Sequence, residues 1–86
     1  MSTKWDGTVG FIGIGTMGSM LIDAFLRAGT FLPEQVYIHN RTPRKAEQVA
    51  KKYPGMTVTS SNAAVAREST LLFLCVKPLD FPALLY

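Results

Sequence analysis

Apolar positions along this chain fall into short runs, and the spacing within them alternates between two kinds. Val9-Gly10-Phe11-Ile12 is a compact apolar run that ends in glycines, which suits a buried parallel strand. From Thr16 the spacing becomes helical. Met17, Leu21, Ala24, Phe25 and Ala28 recur at i, i+4, i+7, i+8 and i+11, predicting an amphipathic helix over 16–28. Gly29 sits where a helix C-terminal glycine belongs, and Pro33 bars continuation, so 31–34 reads as a connection.

The alternation then repeats. Residues 35–39 are β-branched and aromatic and predict a second strand. Thr42 and Pro43 provide an N-cap and a first helical position. Ala46, Val49, Ala50 and Tyr53 carry the helical face, and Tyr53-Pro54-Gly55 stops it. Residues 56–59 read as a short third strand. Ser60, Ser61 and Asn62 offer caps for a brief helix over 63–68. Residues 70–76 form the most apolar run and are expected in the middle of the sheet, covered on both faces. Asp80 could cap a further helix bearing Phe81, Leu84, Leu85 and Tyr86. The order β-α-β-α-β-α-β predicts an α/β, Rossmann-type fold with a mostly parallel sheet and right-handed crossovers. Residues 1–7 read as a polar lead-in and 8–86 as one domain whose sheet is incomplete at its end.

Composition narrows the class. The chain has 86 residues, 48% hydrophobic and 17% charged, which excludes a disordered chain. That is apolar for so small a domain, so some apolar surface is expected to be covered by a further strand, another domain or a second copy. One cysteine excludes an internal disulfide, and a single histidine beside it argues against an autonomous metal site. The net charge of +3 mildly favours an anionic partner, but no dense Lys/Arg cluster points to nucleic acid. No apolar h-region or run of about 20 apolar residues appears, so neither a signal peptide nor a membrane partner is expected. The expected setting is the cytoplasm.

Three segments carry candidate chemistry. Gly13-Ile14-Gly15-Thr16-Met17-Gly18 matches G-x-G-x-x-G directly after a strand and at the opening of a helix, the context a dinucleotide-binding turn requires. Gly13 permits the tight turn, Gly15 keeps side chains away from a pyrophosphate, and Gly18 lets the helix approach the strand. The helix N-terminus adds unpaired N–H groups and partial positive charge. About 20 residues on, NAD-specific sites place a carboxylate for the ribose 2′-OH. Here the chain reads His39-Asn40-Arg41-Thr42-Pro43-Arg44-Lys45, with no carboxylate. Arg41 would attract a 2′-phosphate, with Asn40 and Thr42 as neutral hydrogen-bonding neighbours, so NADP is expected over NAD. Arg44 and Lys45 oppose the helix dipole, a cost that a bound phosphate would offset; as solvated charges they need no ligand. The third segment, Cys75-Val76-Lys77-Pro78, closes the fourth strand, on the side where a nicotinamide would lie. Lys77 reads either as a contact or as a solvated lysine. Cys75, Met17 and Met20 read as packing, and His39 as an adenosine-side neighbour or a surface group.

Residues 9–18, together with Asn40-Arg41-Thr42, Ser61-Asn62-Ala63 and Val76-Lys77-Pro78, resemble the N-terminal domain of pyrroline-5-carboxylate reductases. The run from Phe73 to Asp80 looks most like the late-competence (ComER-type) branch of that family. The resemblance covers residues 8–86. It implies an NADPH-dependent reduction of a cyclic imine to proline, in proline biosynthesis. It also implies an all-helical second domain, absent from this chain, that supplies dimerisation and most of the substrate site. By resemblance, Ile14, Gly15, Thr16 and Met17 contact the pyrophosphate, while Asn40, Arg41 and Thr42 meet the 2′-phosphate. Asn62 lies on the adenosine side, and Val76, Lys77 and Pro78 line the path to the nicotinamide. Many family members carry Ala at the position of Gly18, where Gly should pack equally closely. No catalytic residue transfers, because the family's substrate groups belong to the helical domain. The chain alone is therefore expected to bind cofactor without appreciable turnover. A non-catalytic NADP-binding regulatory protein and a β-hydroxyacid dehydrogenase-like oxidoreductase are the alternative readings.

Overall fold

A computed structural model describes residues 6–75. Strand β1 (Val9–Ile12) leads into helix α1 (Thr16–Arg27). A 3-10 turn (Pro33–Gln35) precedes β2 (Val36–His39), which is followed by α2 (Pro43–Lys52). The order closes with β3 (Thr57–Val58), α3 (Asn62–Glu68) and β4 (Leu71–Leu74). The four strands form one parallel sheet in the order β3-β2-β1-β4. Among the described residues no helix is long and apolar enough to cross a membrane. The helix expected after Asp80 lies outside the described residues.

The alternation of side chains along a strand divides the sheet into two faces. Val9, Phe11, Val36 and Ile38 share one face, where they cluster with Ile22, Phe31 and Ala46. Gly10 points to the other face, where α3 comes so close that a Cβ would lie 2.1 Å from Ser69 Oγ and 2.5 Å from Val65 Cγ1. Ser69 Oγ is itself buried and has no hydrogen-bond partner among the described residues. A methyl group at position 10 therefore has to displace α3. Gly10→Ala is expected to destabilise the chain by about 1–3 kcal/mol in chemical denaturation, the range for overpacking.

Two expectations are corrected. The run 70–76 was expected in the middle of the sheet; among the described residues its strand β4 pairs with β1 alone, and β1 has β2 on its other side. On β4, Leu71, Leu72 and Leu74 are 36–39% exposed, and only Phe73 is well seated, stacked on Phe11 with ring centroids 5.0 Å apart. Hydropathy measures how apolar a strand is, whereas its place in the sheet depends on which neighbours pair with it. The apolar face of α1 is also rotated from the expected one. Gly18 and Ile22 are buried, and Leu21, Phe25 and Leu26 pack beside them, while Met17 and Met20 are about two-thirds exposed and Ala24 and Ala28 face solvent. Two apolar stripes run along this helix, and the one that turns inward contains the glycine that lets it approach the strand.

The turn signals fare better. Gly29 takes φ +71 just past α1, a conformation that other residues rarely adopt. Ser61 caps α3, its Oγ accepting the Ala64 N–H at 3.1 Å. Thr42 occupies the N-cap position of α2, but its side chain makes no capping bond.

Candidate functional site

The functional rim is the carboxyl end of the sheet, where β1 turns into α1 and β2 into α2. Gly13 makes the first turn with φ +89, and its N–H donates to the carbonyl of His39 at 2.9 Å, tying the loop to the end of β2. Ile14 is buried in the core. Gly15 is the N-cap of α1, and a Cβ there would meet no atom of the described residues within 4 Å. The first turn of α1 holds no acidic residue and no side chain caps it. A helix has no internal partner for its first N–H groups, so those of α1 are left at its start, next to Gly15. Thr16 and Met17 are exposed on this turn. Gly18 is buried, and a Cβ there would stand 2.7 Å from the Gly13 carbonyl oxygen and 3.4 Å from Cys75 Cβ. The alanine that many family members carry at this position would require the loop to shift. The glycine loop therefore has the form of a cradle that any larger residue would partly fill.

Asn40 has a second, structural duty that its sequence position does not announce. Its Oδ1 accepts the Ile14 N–H at 2.8 Å, and its Nδ2 donates to the Thr42 carbonyl at 3.0 Å. It braces the glycine loop against the β2–α2 turn, and it withdraws the Ile14 amide from any anion. This leaves Gly15, Thr16 and Met17 to present backbone N–H groups. Arg41 and Thr42 follow on the exposed turn, with Arg44 and Lys45 on the exposed first turn of α2.

A cleft of about 370 Å³ opens beside this turn, lined by His39, Asn40, Pro43, Ala46, Glu47, Val58, Thr59 and Ser60. That volume falls within the roughly 300–1,000 Å³ of small-ligand sites. Glu47 and the Val58–Thr59–Ser60 edge were not singled out by sequence. The available signal was Pro43 at i and Glu47 at i+4 on α2, which places them on one helix face. Asn62 reaches His39, with Oδ1 2.6 Å from Nδ1, and is not itself part of the cleft wall. Cys75 is half-buried beside Gly18, and desolvation raises its thiol pKa, in keeping with packing rather than nucleophilic chemistry. Val76, Lys77 and Pro78 lie outside the described residues. Among the described residues no group of three His, Cys, Asp or Glu could hold a metal.

Comparison with known proteins adds relatives to this geometry. The family model described as NADP oxidoreductase, coenzyme F420-dependent, matches residues 8–86. ComE operon protein 4 of Bacillus subtilis is 40% identical over 77 residues, which are 90% of this chain and 28% of that protein. The pyrroline carboxylate reductase of Plasmodium falciparum, solved with NADP bound, superposes with a TM-score of 0.75 at 25% identity. The match covers 98% of this chain and 29% of that one. An imine reductase from Myxococcus stipitatus, a variant in complex with NAD+, superposes with a TM-score of 0.74 at 26% identity. Here 94% of this chain and 26% of that one are covered. The chain thus spans between a quarter and a third of the length of these relatives.

Proposed function

Because the chain belongs to the NADP oxidoreductase, coenzyme F420-dependent, family, as an N-terminal domain of the pyrroline-5-carboxylate reductase kind, we propose that residues 8–86 bind NADPH for reduction of a cyclic imine to proline in the longer protein. One observation carries this reading. Helix α1 starts uncapped at a glycine with open space, and Asn40 braces that start against a turn rich in cations and free of carboxylates.

Each group has a defined task. The amides of Gly15, Thr16 and Met17 would hold the pyrophosphate, whose charge complements the positive end of α1. Arg41 would pair with the 2′-phosphate in fork geometry, beside Thr42. Asn40 would keep these two anion sites at a fixed separation. The cleft beside Pro43 would take the adenosine. Val76, Lys77 and Pro78 would follow towards the nicotinamide. When bound, the nicotinamide supplies the hydride for the imine carbon, and the protein's part is binding and orientation.

Calorimetry with NADPH and NADH tests the reading. The chain is expected to bind NADPH at least about ten-fold more tightly, the worth of one charge-assisted hydrogen bond. Arg41→Asp is expected to reverse that order, because a carboxylate repels the 2′-phosphate and accepts from the ribose 2′-OH. Equal affinity of the wild type for the two cofactors would sink the NADP assignment. The isolated chain is expected to bind without forming proline from 1-pyrroline-5-carboxylate.

The other reading is a non-catalytic NADP-binding protein with a regulatory role. The full-length protein separates the two. Oxidation of NADPH with 1-pyrroline-5-carboxylate supports the reductase, and cofactor binding without oxidation supports the regulator.

A further inference from the structure

Resting on the cofactor reading above, we propose that Met17 is a reversible oxidation site, and that its sulfoxide turns off dinucleotide binding. Met17 is the second residue of α1 and is 68% exposed. The first bond inside the helix runs from the Ser19 N–H to the Gly15 carbonyl at 2.9 Å, so the amides of Thr16 and Met17 lie before it. Long side chains on a helix lean towards its N-terminus, which carries the Met17 sulfur back towards those amides. The other methionines are placed differently. Met20 is as exposed, at 66%, but lies a turn further along α1, past that first bond. Met56 is half-buried and precedes β3, at the opposite end of the parallel sheet. Met1 lies outside the described residues.

Hydrogen peroxide is a sufficient oxidant. It transfers one oxygen atom to Sδ: the O–O bond breaks, an S–O bond forms from a sulfur lone pair, the sulfur loses two electrons, and the peroxide is reduced to water. Cys75, the other sulfur on this rim, is half-buried beside Gly18, and desolvation keeps its thiol protonated, so the exposed thioether is the sulfur within reach. Oxidation changes what Met17 can bond. A thioether sulfur is a weak acceptor, whereas a sulfoxide oxygen is a strong one with partial negative charge. At the first turn of α1 it accepts from the free amides and complements the positive end of the helix. That turn has no acidic residue and no side-chain cap already serving those amides. A pyrophosphate then has to displace this bond and approach a like partial charge. Conversely, a bound pyrophosphate covers Met17 and leaves Met20 open to the oxidant.

The test treats the 86-residue chain with hydrogen peroxide, removes the oxidant and titrates NADPH by calorimetry, while peptide mass spectrometry locates the sulfoxides. Oxidation at Met17 is expected to weaken NADPH binding at least about ten-fold, the worth of one charge-assisted hydrogen bond. Methionine sulfoxide reductases acting on both epimers should restore it. Met20→Leu should lose affinity on treatment as the wild type does. Met17→Leu should bind NADPH equally before and after treatment, its own untreated affinity being the reference. NADPH present during treatment should slow oxidation at Met17 and leave the rate at Met20 unchanged. If Met17→Leu does not bind, this protection measurement on the wild type carries the test. Unchanged affinity after oxidation at Met17, or equal protection of Met17 and Met20, overturns the proposal. So does a loss that persists in Met17→Leu or that comes with a collapsed melting temperature, since either marks general damage. If NADPH does not bind the untreated wild type, the cofactor reading fails and takes this one with it. If it binds and oxidation changes nothing, only the oxidation site fails.

Discussion

Gly15→Asp is expected to abolish dinucleotide binding while leaving the chain folded. Gly15 is the N-cap of α1, with φ −73 and an extended ψ that any residue adopts, and a Cβ there meets no atom of the described residues within 4 Å. Aspartate is among the best N-cap residues, and its carboxylate can accept from the free amides of the first turn. Those are the amides that the pyrophosphate would need. The new side chain occupies them and also places a negative charge where two phosphates would come. Two like charges about 4 Å apart repel by roughly 4 kcal/mol at the effective dielectric near a protein surface. The dissociation constant for NADPH should therefore rise by at least about 100-fold. The melting temperature should hold or rise slightly. Retained affinity would show that the cofactor is not held at the start of α1. A loss of fold would show that Gly15 serves the turn rather than the ligand.

Phe11→Ala is expected to have the largest effect on stability. Phe11 is fully buried in the central strand and stacks on Phe73. Phe73 meets Phe25 at 5.5 Å, and Phe25 meets Phe31 at 5.1 Å. This row of rings joins β1, β4, α1 and the segment after α1. Truncating a buried phenylalanine costs about 3–5 kcal/mol. A chain of this size has a total stability of roughly 4–13 kcal/mol, at about 0.05–0.15 kcal/mol per residue. The urea midpoint should fall by about 2–3 M, and at the weaker end of that range the variant would be unfolded without denaturant. A shift under about 1 M would mean that the aromatic row is not the main tie between the elements. The same row explains why only Phe73 of β4 is well seated, while its neighbouring leucines remain exposed.

These two positions also show what kind of information the amino-acid order carries. Gly15 was legible because a G-x-G-x-x-G pattern at a strand-to-helix junction constrains the backbone locally. The turn at Gly13, the glycine after α1 and the cap at Ser61 were legible for the same reason. Asn40 was legible as a site residue but not as a brace, because its partner Ile14 lies 26 residues away. Glu47 and the Val58–Ser60 edge were not legible as one wall, because nothing short-range marks two segments that meet only when α2 packs beside β3.

The order of residues by itself determined the element types, their sequence, the parallel α/β architecture and the glycine loop, since each depends on periodicity or on backbone freedom within a few residues. The tertiary structure alone decided the strand order, which of two apolar stripes on α1 turns inward, and the exposure of Met17, Met20 and the β4 leucines. It also decided that His39 and Asn62, 23 residues apart, meet at 2.6 Å. These outcomes depend on which surfaces come into contact. A hydrophobic side chain gains as much from one apolar neighbour as from another, so the sequence pattern names the sticky surfaces, and only packing chooses among the pairings.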